Sequence, residues 1–145
     1  MIELGAEHSF INKIMFDTKS KNKMELEKLV YNSISYHFNS RCAVMFITNE
    51  MLKESQVTDE SDLEGFASIP RKIEGVLIGV TLREKENDVF KVSIRTSDEI
   101  DASKICEKLG GGGHKAAAGC TISGKKEDAQ NKILEIIKDE LENIL

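Results

Sequence analysis

The chain has 145 residues and a formal net charge of −5, with 40% hydrophobic and 31% charged residues. That is the size of one ordinary domain, with enough apolar content for a core and enough charge for solubility. The acidic balance excludes the broad basic field of a free-standing nucleic-acid binder, so any phosphate recognition is local, made by a few cations and oriented amides, and suited to a short ligand. Cys42, Cys106 and Cys120 are odd in number and widely spaced, without a C-x-x-C pair or a zinc pattern. Buried thiols in a reducing cytosol are expected, hence a cytoplasmic location. No apolar run is long enough for a membrane span, and the opening MIELGAEHSF lacks the layout of a signal peptide.

Taken in order, Ile11, Ile14 and Met15 give His8 to Met15 a helical spacing. From Ser20 to about Phe38, Leu26, Val30, Ile34 and Phe38 recur every four residues and predict an amphipathic helix. It either packs on its own domain or connects to something upstream. Arg41 to Thr48 is an apolar run that reads as a buried strand. Thr48 and Asn49 offer caps for a short helix over Glu50 to Glu54. Ser61 to Phe66 reads as another short helix, and Ile69-Pro70-Arg71 as extended, because the residue before proline avoids the helical region. Val76 to Arg83 and Val89 to Thr96 predict an antiparallel hairpin, with Phe90, Val92 and Ile94 on one face and Lys91, Ser93 and Arg95 on the other.

Asp98 and Asp101 are candidate caps for a helix ending near Leu109, where Gly110 occupies the usual terminal-glycine position. Ala116 to Ile122 reads as a strand of small residues. Lys125 to Leu145 is the clearest helix, with Ala129, Ile133, Ile136, Ile137, Leu141 and Ile144 on one face. The expected fold is mixed α/β: a small mixed sheet of about four to five strands flanked by helices and preceded by a connector helix.

The stretch Gly110 to Gly119, GGGGHKAAAG, stands out between the last helix and strand signals. It is either a flexible linker or a backbone that a ligand approaches closely, with successive N–H groups forming an anion cradle. His114 and Lys115 add donors. The loop is not a P-loop, because Lys115 is followed by Ala116. It is not a dinucleotide fingerprint, because it closes a helix and leads into a strand. Arg95 is the leading candidate side chain, since a guanidinium grips phosphate in a bidentate fork. A solvated surface arginine is the competing reading. Ser93 and Lys91 share its face. No D-x-D, H-E-x-x-H or EF-hand spacing points to a metal held by this chain.

Gly110–Gly119, together with VSIR at Val92–Arg95, resembles the C-terminal DHH-associated domain of DHH-family phosphoesterases. SDLEG at Ser61–Gly65, IPRKIEGV at Ile69–Val76 and DASKICEKLGGGGH at Asp101–His114 are most similar to the nanoRNase and pAp phosphatase group. RecJ-type exonucleases, cyclic-di-AMP phosphodiesterases and the C-terminal part of alanyl-tRNA synthetases carry related loops. The alternative function is therefore a non-catalytic RNA or tRNA-binding module.

The resemblance implies a separate N-terminal DHH domain holding manganese and doing the chemistry. No DHH triplet occurs here, so the chain is expected to be the substrate-binding half and to be inactive by itself. Residues 1–38 would be the end of the catalytic domain and the connector, and residues 39–145 the substrate-binding domain. By the same resemblance, Arg95 matches the phosphate-binding arginine, Gly111, Gly112, Gly113 and His114 match the phosphate and nucleotide loop, and Arg71 is a candidate at the cleft edge. The implied partners are a short oligonucleotide or nucleotide phosphate and the DHH domain, with no membrane. Oligomeric state is left open, a homodimer included.

Overall fold

The computed structural model describes residues 19–144. The helical pattern at His8–Met15 lies outside the described residues. Helix α1 runs over Lys21–Asn32, capped by the Ser20 hydroxyl, which accepts from the Lys23 amide at 3.0 Å. It buries Leu26 and Val30.

The helix does not continue to Phe38 as the four-residue spacing predicts. Ser33 ends it: its hydroxyl donates to the Val30 carbonyl at 2.6 Å and accepts from the Phe46 amide at 2.9 Å. The chain then leaves as strand β1 (Ser35–His37), paired antiparallel with β2 (Cys42–Ile47). The turn between them holds Phe38, Asn39 and Ser40 at φ values of 57°, 59° and 64°. Ile34 still packs against the core on the α1 side, and Phe38 packs on the core of the opposite face. Apolar spacing alone therefore could not tell a fourth helical turn from a strand.

Strand β2 is buried along its whole length. Thr48 caps helix α2 (Asn49–Ser55) as expected, its hydroxyl accepting from the Met51 amide. The segment read as one helix at Ser61–Phe66 is instead two 3₁₀ turns, Glu60–Leu63 and Phe66–Ser68, separated at Gly65 with φ 84°. A third 3₁₀ turn, Pro70–Lys72, corrects the extended reading of Ile69-Pro70-Arg71. Ile69 takes helical angles of −58° and −52° despite the following proline. Packing of Ile69 in the core beside Phe66 outweighs the local preference, and Pro70 fills a first-turn position that needs no N–H.

Strands β3 (Ile78–Glu86) and β4 (Val89–Thr96) form the expected antiparallel hairpin. Asp101, not Asp98, caps helix α3 (Ala102–Glu107), accepting from the Ser103 amide at 3.0 Å. The Ser103 hydroxyl donates to the same carboxylate, and that bond, with the amide bond behind it, holds the Asp101 carboxyl below the usual carboxylate range. The glycine loop is not wholly irregular: Gly112–Gly113 forms strand β5, paired with β6 (Ala117–Ser123). Helix α4 (Lys126–Ile144) closes the fold and buries Ala129, Ile133, Ile137 and Leu141. Each buried Ile or Leu is worth about 1.5–3 kcal/mol against exposure, so this one stripe anchors the helix.

The six strands run in the order β1-β2-β3-β4-β6-β5, and only β2 and β3 are parallel. The two short edge strands account for the excess over the expected four to five. Alternation along each strand separates two faces. Val44, Val80, Val92, Ile94 and Ile122 point to the face covered by α3 and α4. Met45 and Ile47 point to the other face, where Leu26, Val30, Val57 and Phe66 cover them.

The cysteines lie within the first of these cores. Burial pushes the Cys42 thiol up to about 12. The Cys106 thiol is pushed up by its hydrogen bond to Cys120 and by burial, so both thiols keep their protons at neutral pH. No helix among the described residues is long and apolar enough to cross a membrane.

Candidate functional site

The second face is covered only in part. Where α1 and α2 cover β2, the residues beneath, Met45 and Ile47, are apolar, and the 3₁₀ turns lie over β2 and β3. Beyond them the face becomes polar or small, and register pairing arranges it in rungs. One rung is Ala43, Gly79, Arg95 and Ala117. The next is Met45, Thr81, Ser93, Gly119 and Gly112. The third is Ile47, Arg83, Lys91 and Thr121.

Strand register thus sets Arg95 and Ser93 on the same face as the glycine strand. The Arg95 guanidinium is half-buried and donates to the Ile94 carbonyl at 3.2 Å. Among the described residues it makes no ion pair. A half-buried cation without a counter-charge is a ready partner for an anion.

The Arg71 backbone reaches the same rung from the 3₁₀ turn. A Cβ on Gly79 would lie 2.6 Å from the Arg71 amide nitrogen and 3.0 Å from Pro70 Cβ. Only glycine lets Pro70-Arg71 sit directly on the sheet next to Arg95. Arg71 donates through Nη1 to the Val76 carbonyl at 3.1 Å, while its buried Nε has no partner.

The glycines divide by role. A Cβ on Gly111 would meet the Gly119 carbonyl oxygen at 2.2 Å, and one on Gly113, at φ 151°, would meet Ala118 Cα at 2.6 Å. These two let the loop lie flat against β6. A Cβ on Gly112 meets nothing within 4 Å, so its exposed backbone faces open space. His114 is exposed at the turn, where its amide donates to the Ala117 carbonyl at 2.8 Å and its carbonyl accepts from the Ala117 amide at 3.3 Å. Ala117 is the register partner of Arg95, so the turn presents His114 at the Arg95 end of the face.

Some contributors were not legible in the sequence. The buried Thr96 hydroxyl lies within bonding distance of the Ile100 carbonyl (2.8 Å) and the Lys115 carbonyl (3.0 Å), pinning the loop to β4. Thr81 is 3% exposed, lies opposite Ser93 and has a hydroxyl without a partner. Their alternation within strands was visible, but what they face depends on strand register. The donor set of this face is guanidinium, hydroxyl and amide, which suits an anion rather than a cation. Among the described residues no group of three or more His, Cys, Asp or Glu is placed to hold a metal ion.

The profile of the DHHA1 domain matches residues 39–143. The chain belongs to the DHHA1 domain family. A relative, the bifunctional oligoribonuclease and PAP phosphatase NrnA of Thermus thermophilus, is 35% identical over 113 residues, 77% of this chain. The chain spans 33% of that relative's length. An exopolyphosphatase-related protein from Bacteroides fragilis shares the fold with a TM-score of 0.74 at 23% identity, over 94% of this chain and 38% of the other. The pGpG-specific phosphodiesterase PggH from Vibrio cholerae does so with a TM-score of 0.54 at 18% identity, over 82% and 40%. The chain is thus a DHHA1 domain related to phosphoesterases of the DHH family.

Proposed function

We propose that this DHHA1 chain is the substrate-holding part of a manganese-dependent DHH phosphoesterase that hydrolyses short 5′-phosphorylated oligonucleotides, pAp or both. The observation that carries the reading is Arg95: a half-buried guanidinium with no ion-pair partner among the described residues, on one sheet face with Ser93 and the glycine strand. The name of the Thermus relative supports the substrate class, and its greater length supports a separate catalytic part.

In this reading residues 1–38 are the end of the DHH domain and the connector, and residues 39–145 grip the substrate. The catalytic domain's manganese supplies an activated water there. Arg95 takes a terminal phosphate in a bidentate fork, and Ser93 donates a hydroxyl hydrogen bond to it. The exposed Gly112–Gly113 backbone lets the phosphate approach closely. Gly111, whose amide is bonded to the Cys106 carbonyl at 2.9 Å, holds the turn that presents it, and His114 donates from the turn. Arg71 lines the cleft edge. Holding the far end of the substrate positions the scissile phosphate for the other domain. We place the protein in the cytoplasm on the same reading.

The chain alone is expected to bind the 5′-phosphorylated dinucleotide pApA without hydrolysing it in the presence of Mn²⁺. Calorimetry and product chromatography check this. Steady release of mononucleotide by the chain alone would overturn the division of labour.

A further inference from the structure

A groove of about 660 Å³ opens at the sheet edge beside β6, lined by Lys91, Gly119 and Thr121 of the Arg95 face and by Lys85, Leu109 and Gly111. Its volume falls in the range of about 300–1,000 Å³ usual for ligand sites. Lys85 and Lys91 are exposed, and neither is paired with a carboxylate among the described residues. Arg83, the register partner of Lys91, is bonded to Glu60. The bond to Arg83, with the fields of Arg83, Lys85 and Lys91, holds the exposed Glu60 carboxyl below the usual range. Arg83, Lys85 and Lys91 alternate along the hairpin with Glu84, Glu86 and Asp88, so what marks the groove is the two lysines without an ion-pair partner among the described residues rather than a net positive field. Two unpaired lysines beside a groove with Leu109 in its lining suit a phosphate with an attached base.

Spacing separates this groove from the Arg95 grip. Arg95 and Lys91 are four residues apart on β4, about 13 Å at ~3.3 Å per residue. That is about four stacked nucleotide steps of ~3.4 Å, and fewer for an extended strand. We infer that the Lys85–Lys91 groove is a second nucleotide subsite, which holds a phosphate and base of the same oligonucleotide several residues from the phosphate on Arg95. The inference rests on the proposed function and deepens it: the face becomes a track that favours oligonucleotides over single nucleotides. Leu109 supplies an apolar wall for the base, and Thr121 supplies a polar contact at the rim.

The test compares a 5′-phosphorylated mononucleotide with a 5′-phosphorylated tetra-adenylate on the full chain, by calorimetry or fluorescence polarisation. Wild type is expected to bind the tetranucleotide at least tenfold more tightly. Its log K against log salt should be steeper by about 0.7 for each additional phosphate neutralised. In the Lys85→Ala/Lys91→Ala variant the ratio of the two affinities should collapse toward one and the extra salt slope should vanish. In Arg95→Ala both affinities should fall while the ratio survives. An unchanged ratio in the lysine variant, with Arg95 still required, overturns this inference and leaves the proposed function standing. A lysine variant that weakens both ligands equally also overturns it, because the lysines then supply only a general field. Failure of wild type to bind either ligand overturns the proposed function and this inference together. Both lysines are exposed, so the variant is expected to keep the fold; an unchanged melting curve confirms that.

Discussion

Replacing Arg95 by alanine is expected to weaken binding of a 5′-phosphorylated nucleotide by about ten- to a hundredfold. Hydrogen bonds to charged groups are worth about 1.5–3 kcal/mol, and about 1.4 kcal/mol is a factor of ten. The fold should hardly notice. The guanidinium makes one internal bond, to the neighbouring Ile94 carbonyl, and no ion pair among the described residues. Melting curves of wild type and variant should therefore nearly coincide. Arg95→Lys keeps the charge but loses the planar fork, so it should fall between the two. Calorimetry with pApA measures the series. Equal affinity for wild type and Arg95→Ala would make Arg95 an ordinary surface residue.

Adjacent glycines should respond in opposite ways. Gly111→Ala places a methyl 2.2 Å from the Gly119 carbonyl oxygen and 2.6 Å from Cys120 Cβ. Those obstacles are a backbone oxygen and a buried side chain, which cannot swing away. Overpacking of this kind costs about 1–3 kcal/mol, and Tm should fall by about 4 °C for each kcal/mol. Gly112→Ala places its methyl in open space, so Tm should stay within about 1 °C, the effect of a surface change. Yet the same methyl stands where a phosphate must approach the backbone, and affinity for pApA should drop about tenfold. Thermal melts and titrations on both variants separate a glycine needed for packing from one needed for access. A Gly112→Ala protein with full affinity would remove the backbone cradle from the account.

The β3–β4 hairpin was legible because Phe90, Val92 and Ile94 alternate strictly with Lys91, Ser93 and Arg95. Helix α4 was legible because its apolar stripe keeps the helical period through Leu141. The end of α1 was not, because Ile34 and Phe38 continue a four-residue spacing while Ser33 bonds to β2 and turns the chain into a strand. Ile69 was misread for a related reason: its tertiary contacts override the rule for residues before proline. Arg95, Ser93 and the glycine run could be singled out from residue type and local order. That they share one face with Gly79, Thr81 and Arg71 could not, since it depends on which strands pair and in what register. Gly79 looked like an ordinary strand residue, and only the 2.6 Å approach of the Arg71 backbone gives it meaning.

The central claim is that the open face around Arg95 and Gly112 holds a nucleotide phosphate. Its most direct test is a titration of pApA into the ¹⁵N-labelled chain, followed by amide chemical shifts. The account predicts concentration-dependent shifts at Ser93, Arg95, Gly111–His114 and Ala117–Gly119, with the amides of α4 unmoved. Shifts that are absent, or that gather on α3 and α4 instead, would contradict it.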